Sequence, residues 1–265
     1  MAFFYTKNTS LVVYPIQMKK IIVYLGLTAL LVACGKDRIL DITPVVNLSS
    51  GLLIDIPFDS NTLELVNNQT GLNTKATFCP NRKNIANKAI HFNRLDSAQI
   101  NFGDLENASF VNGIFSISCW VLLEDTTLPC AIISKRSASG GFEYSLDNHF
   151  RSKEYFNFDN WIENGTNSVY GIDPLNASAA IDLNKWQHLV YVADGTSVKV
   201  YVNGTLQTGT DLKNSGQSFT NTDKPFVVGN GGGYGKNYYF QGAVDDLKMY
   251  NRVLNVDEIK ALLAQ

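Results

Sequence analysis

The sequence is short of charge, of histidine and of cysteine. Only 17% of its 265 residues are charged, and the 22 basic side chains fall short of the 24 acidic ones. Proteins that grip a phosphate backbone need a basic excess, so nucleic acid is excluded as a partner. Seven prolines and 20 glycines show no collagen period, and no heptad repeat is present. The three histidines, His91, His149 and His188, lie in no His-Glu-x-x-His pattern, and the four cysteines form no C-x-x-C pair. A Gly-x-Ser-x-Gly elbow, a phosphate loop with Lys-Ser/Thr and a dinucleotide fingerprint are likewise missing. What is present is core material: 45% apolar and 11% aromatic residues, too much for a disordered chain.

Long apolar runs are also scarce, and the clearest stands near the start. Met18-Lys19-Lys20 precedes the apolar run 21–31, which leads into Leu31-Val32-Ala33-Cys34-Gly35. Two lysines, a short apolar stretch and a small residue before a cleavage point read as a secretory signal, too short to span a bilayer. Leu31-Val32-Ala33-Cys34 resembles the bacterial lipobox. That resemblance implies a lipidated Cys34, whose several acyl chains give firm anchoring where one is marginal. The expected organisation is a signal peptide with an N-terminal extension over 1–33, a lipidated cysteine and tether over 34–50, and one domain over 51–265. The expected location is the bacterial cell envelope, on the outer membrane or cell surface. Loss of 1–33 removes Lys7, Lys19 and Lys20 and no acid, leaving 19 basic against 24 acidic side chains and a net charge of −5. With Cys34 lipidated, Cys79, Cys119 and Cys130 remain; a Cys119–Cys130 disulfide and buried thiols both fit.

From Gly51 onward the dominant period is two. In 185–192 and 197–202 apolar residues alternate, with Val198, Val200 and Val202 on one face and Lys199 and Tyr201 on the other. Asp194-Gly195 and Asn203-Gly204 supply the positive φ angles of tight hairpin turns. Further strands are expected over 52–58, 89–92, 98–102, 115–123, 131–135, 142–146, 154–158, 226–229 and 240–250, separated by Gly, Asn and Asp. Short strands without helical spacers predict an all-β, two-sheet antiparallel sandwich. Asn255 with Glu258 makes a capping-box spacing before Ile259, Leu262 and Leu263, so a short terminal helix is expected against the sandwich.

These segments carry a family likeness. Trp186-Gln187-His188-Leu189-Val190-Tyr191-Val192 with Val200-Tyr201-Val202-Asn203-Gly204 resembles the central hairpin of laminin-G-like, concanavalin A-like jelly-roll domains. Ile56-Pro57-Phe58-Asp59 resembles the opening strand, and Phe240-Gln241-Gly242-Ala243-Val244-Asp245-Asp246-Leu247-Lys248-Met249-Tyr250-Asn251-Arg252-Val253-Leu254 the closing strand that leads into the terminal helix. Ala89-Ile90-His91-Phe92 and Phe115-Ser116-Ile117-Ser118-Cys119-Trp120-Val121 fit between them. The resemblance implies ligand contact at the concave sheet and its rim loops. It also implies a structural calcium near the meeting of the first and last strands, with Asp59 and Asp245 as ligands, since a hard cation takes carboxylate oxygens. Strand alternation turns Asp246 to the face opposite Asp245.

For ligand contact, two segments stand out. Tyr155, Asp159, Asn160 and Trp161 combine aromatic faces for sugar C–H groups with hydroxyl partners. Gly229-Asn230-Gly231-Gly232-Gly233-Tyr234-Gly235 reads as a rim loop presenting Tyr234, and His149 is a further loop residue open to ligand. Catalysis finds less support. Glycosidases of this superfamily need two carboxyl groups on one strand face at alternating positions. Here Glu124-Asp125 and Asp245-Asp246 are adjacent, and only Glu143 and Asp147 share a face. His188 alternates with Trp186, Val190 and Val192, as a core or interface histidine does. The expected function is a non-enzymatic, lipid-anchored surface module for carbohydrate or a glycosylated partner. A structural or protein-interaction domain of an envelope assembly is the alternative, and a glycoside hydrolase a more distant one.

Overall fold

The computed structural model describes residues 46–110, 113–136, 142–148, 155–162, 168–171, 179–211, 221–231 and 238–265; for 142, 155–162, 168–171, 179–180 and 208–211 the description covers backbone only. Cys34, the signal segment, most of the tether, His149 and Tyr234 lie outside it. Among the described residues no helix is long and apolar enough to cross a membrane.

The predicted alternation becomes a two-sheet sandwich. The strands are β1 (Leu52–Ile56), β2 (Leu63–Glu64), β3 (Gln69–Thr70), β4 (Leu72–Thr74), β5 (Thr77–Cys79), β6 (Ala89–Phe92), β7 (Gln99–Asn101), β8 (Ile114–Leu123) and β9 (Ala131–Arg136). They continue with β10 (Phe142–Asp147), β11 (Tyr155–Ile162), β12 (Ser168–Gly171), β13 (Ala179–Ala180), β14 (Trp186–Asp194), β15 (Ser197–Val202), β16 (Thr205–Asp211), β17 (Phe226–Val228) and β18 (Gly242–Tyr250). One sheet runs β16-β15-β14-β8-β18-β6-β5, with β1 also on β18; the other runs β12-β11-β10-β9-β17-β7-β4, with β13 on β11. Every ladder between named strands is antiparallel.

The core lies between the sheets. Phe115, Ile117, Cys119, Val121 and Leu123 point inward from β8 and meet Ile133, Tyr144, Leu146, Phe226 and Val228 of the other sheet. Each such fully buried side chain contributes about 1.5–3 kcal/mol. Cys79, Cys119 and Cys130 are free thiols, the last two buried, so the thiol alternative holds over the disulfide. The hairpin turns differ in detail. Asn203 and Gly204 have φ of 49° and 73°, the pair of positive angles that Asn-Gly favours. In the other hairpin only Gly195 turns positive; Asp194 ends β14 and accepts bonds from the N–H groups of Thr196 and Ser197.

On the outer face of the first sheet, Val190, Val192, Tyr201 and Tyr250 are covered by Leu254 and by Ile259 and Leu262 of helix α1 (Val256–Ala264). The predicted capping box is formed: Asn255 Oδ1 accepts from the N–H groups of Asp257 and Glu258, and Glu258 accepts from that of Asn255. Arg252 then donates to Glu258 and to the carbonyls of Asn47 and Ser50, tying the chain's entry to the same end of β18.

Two sequence readings are corrected. β11 runs to Ile162, past the expected 154–158, so Asp159, Asn160 and Trp161 belong to the strand. Asp245 and Asp246 do not diverge. The register of β18 against β8 shifts between Asp245 and Lys248, and Asp246 takes a φ of 46°. An extra residue at a bulge cancels the two-residue alternation, so both carboxylates reach one partner.

Candidate functional site

β9, β10 and β11 bring the two expected ligand-binding segments to neighbouring places. Along β10, Ser145 stands opposite Asp159 of β11, and Asp147 stands opposite Asn157. Leu146, a core residue, stands opposite Phe158. Because side chains alternate, Tyr155, Asn157, Asp159 and Trp161 occupy one set of register positions and Asn160 falls in the other, with Phe158. The expected trio is therefore split. Tyr155 and Trp161 are also separated, about 20 Å apart along the strand.

On its other side Asp147 stands opposite Ala131 of β9, where the Gly-rich loop is rooted. The Ala131 N–H donates to the Tyr238 carbonyl at 2.9 Å, and the Gly231 N–H donates to the same oxygen at 3.3 Å. The Asn230 side chain accepts from the Tyr238 N–H at 3.1 Å and donates to Gln99 at 2.9 Å, while Ser134 Oγ donates to the Asn230 carbonyl at 2.7 Å. Gly231 is required by contact: a Cβ there would stand 2.4 Å from that of Ala131. The loop containing Tyr234 thus hangs from the strand next to the one that pairs with β11.

This region of the second sheet is polar although buried. Ser134, Arg136, Glu143, Ser145, Asp147, Asn148 and Asn230 are all classed with the interior. Buried charge has to be paired, and it is. Ser145 Oγ bonds to Asp147, and an Arg136 Nη lies 4.0 Å from Asp147 Oδ2. Lys135, at 0% exposure, extends toward the opposite end of β9 and donates to Asp104 at 2.8 Å and to the Thr222 carbonyl at 2.6 Å, with Glu143 at 3.4 Å. Burial pushes the Glu143 carboxyl above its ordinary range, against the pull of Lys135. Four residues along a strand span about 13 Å, and Glu143 and Asp147 each have their own cation, so they do not form a carboxylate pair at the spacings of glycoside cleavage.

The first sheet carries a second polar group. Arg82 donates to Asp245 and, at 2.8 Å, to Asp246, and its guanidinium lies 4.5 Å from the Trp120 ring centroid. Trp120 in turn stands beside His188, ring centroids 5.2 Å apart, and His188 Nε2 is 2.8 Å from Ser118 Oγ. Burial, and then the charge of Arg82, push the His188 pKa down to about 4. His188 is thus an interior histidine, as its alternation implied. Asp59 pairs with Lys88 at 2.8 Å. Asp59 and Asp245 are each held by a cation of the chain, and no cluster of three or more His, Cys, Asp or Glu suited to a metal occurs among the described residues. The residues present do not fit the expected calcium ion.

At the end of the sandwich next to the Gly-rich loop, Arg94 links three segments. Its backbone N–H donates to Gln241 Oε1, its Nε donates to the Tyr239 carbonyl, and its Nη atoms reach Asp125 and the Leu128 carbonyl. His91 bonds to Glu124, which Gln241 also approaches at 2.9 Å. Arg82, Arg94 and Lys135 were all missed from sequence. Lys135 alone left a signal, standing two residues after Ile133 where alternation calls for an apolar side chain.

The architecture is that of an antiparallel two-sheet sandwich with a buried polar row on one sheet. The family profile of the concanavalin A-like lectin/glucanases superfamily, of laminin G type, matches residues 96–260, and the chain belongs to this superfamily. No curated protein matches the sequence. Among solved structures, domain 4 of AbnA, a GH43 extracellular arabinanase from Geobacillus stearothermophilus, in complex with arabinotriose, superposes with a TM-score of 0.60 at 20% identity, covering 81% of this chain and 98% of that one. The binding domain of Paraclostridial Mosquitocidal Protein 1 gives 0.60 at 16% identity, covering 80% of this chain and 52% of that one. The binding domain of Botulinum neurotoxin DC in complex with rat synaptotagmin II gives 0.58 at 16% identity, covering 81% and 51%. The chain spans about half the length of these two toxin domains. At such identities the likeness is one of fold.

Proposed function

We propose that the protein is a lipid-anchored envelope module that binds carbohydrate or a glycosylated partner and carries out no bond cleavage. The observation that supports this most is the ladder in which β11, bearing Tyr155, Asp159 and Trp161, lies beside the polar row of β10 and two strands from the root of the Tyr234 loop. Sugars need hydroxyl partners and flat apolar surfaces together, and rigid strands hold both at fixed spacing. The superposable arabinanase domain was solved with arabinotriose, and a further superposable Botulinum neurotoxin DC binding domain with SialylT, which favours a glycan over a small cofactor. The separation of Glu143 and Asp147 supports binding over hydrolysis.

Full-length protein in detergent, applied to a glycan array and followed by calorimetry, is expected to bind a restricted set of glycans. Trp161→Ala is expected to weaken binding at least about tenfold, the cost of losing one aromatic platform, without a change in melting temperature. Uniformly negative arrays, or reducing-sugar release from a bound polysaccharide, would overturn the reading. Anchoring is tested separately: Cys34→Ser is expected to move the protein from the membrane fraction to the soluble fraction and to abolish labelling with radioactive palmitate. Retention of both label and membrane association in that variant would remove the anchor from the proposal.

A protein partner is the second reading, favoured by one observation. Leu95 is 93% exposed and Leu128 55% exposed, on two loops that Arg94 holds together beside the Gly-rich loop. A fixed apolar pair at that rim suits protein contact.

A further inference from the structure

We infer that Arg82 serves as the built-in cation of the junction between the first and last strands, so that the carboxylates there take a guanidinium in place of the calcium that the family likeness implied.

The geometry begins with β18. β6 pairs with Gly242–Val244 and β1 with Leu247–Tyr250, end to end along the same flank, while β8 accompanies the whole strand on the other. Where β6 gives way to β1, the ladder is interrupted by the bulge at Asp245 and Asp246. The backbone around this gap is unusual. Phe58, Ser60, Asn87 and Asp246 all have positive φ, between 46° and 61°, and Ser60 bonds to the Phe58 and Asn87 carbonyls. A buried aromatic residue in that region is rare and persists only where the surroundings hold it.

Two carboxylates converge on the gap and demand a positive charge. Asp245 is buried, Asp246 is 27% exposed at its side chain, and the Asp59 charge reaches Asp245 from the end of β1. A calcium ion answering that demand takes six to eight oxygens. The chain instead answers it with a planar fork, one Nη to each carboxylate, whose face rests on Trp120. Lysine lacks both the fork and the flat face. Taking Arg82 away therefore leaves Asp245 and Asp246 without the cation that faces them both.

The test is thermal unfolding of the full chain with millimolar calcium and with a chelator, joined to terbium luminescence sensitised by tryptophan. The natural chain is expected to melt at the same temperature in both solutions and to give no sensitised emission. Arg82→Ala is expected to melt about 6 °C lower, less than for a fully buried pair because Asp246 meets water and Asp245 takes a proton near neutrality. Calcium-dependent melting or emission in the natural chain would overturn the inference, as would an Arg82→Ala variant with unchanged melting. Should Arg82→Ala fail to fold, Arg82→Lys with the same readouts, and the natural chain with and without calcium, decide the matter.

Discussion

Lys135→Met is expected to lower stability by about 4 kcal/mol, or roughly 12 °C in melting temperature for a domain of this size. The ammonium of Lys135 is fully buried and bonded to Asp104 and the Thr222 carbonyl, with Glu143 3.4 Å away at 1% side-chain exposure. Removing it strands the Glu143 carboxylate in an interior already unfavourable to its charge and leaves the Thr222 carbonyl without its donor. Asp104 is 37% exposed and returns to water at little cost. The loss is therefore carried by Glu143, which sets a second expectation: Lys135→Met combined with Glu143→Gln recovers part of it, because an amide costs less to bury than a lone charge. Denaturant unfolding of both variants checks this. A double variant no more stable than the single one would show that Lys135 acts through packing of its stem rather than through charge.

Mild acid is the second large perturbation. His188 is an interior group whose pKa stands at about 4, against an ordinary value of 6.5. Between those two values the unfolded chain binds a proton that the folded chain does not, so stability rises with pH across the window and is lost as pH falls through it. The full loss is about 3 kcal/mol, reached near pH 4. Asp245 works in the opposite sense. Its carboxyl is raised to about 7, so its folded form gains protons over part of the same range and its ionisation costs stability as pH rises. The His188 contribution is thus isolated by difference, from unfolding free energies of the natural chain and His188→Gln measured between pH 7 and 4. The natural chain is expected to lose about 3 kcal/mol more than the variant over that span. Parallel pH profiles would mean that His188 takes up its proton over the same range in the folded as in the unfolded chain, against the lowering that burial implies.

Both results concern side chains that chain-order reasoning treats unequally. His188 was legible: it alternates with Val190 and Val192, and alternation alone assigns it to a packed face. Arg82 was not. It lies in the irregular segment between β5 and β6, and its partners are 163 and 164 residues away in the chain. The Asp245–Asp246 pair shows why a local rule fails at such a place. Alternation assumes an unbroken ladder, and the bulge that suspends it arises because β6 and β1 share one flank of β18, a fact of strand pairing. That the strand was expected to stop before Asp159, Asn160 and Trp161 has a similar cause. Polar residues in a row lack the apolar signature of a strand, and only pairing with β10 and β12 holds them extended. β16 went unseen for the same reason, its sequence Thr-Leu-Gln-Thr-Gly-Thr-Asp being stabilised by a single neighbour, β15.

The amino-acid order by itself determined the all-strand character, the inward rows of β8, β14 and β15, the Asn203–Gly204 turn and the capped terminal helix. These depend on period, turn chemistry and neighbours within a few residues. Tertiary structure decided which charges meet. It set Arg82 against two aspartates, Lys135 against Glu143, and Asn230 and Gly231 at β9, the strand next to β10. Desolvation and Coulomb energy act through space, and separation along the chain says little about separation across a sandwich.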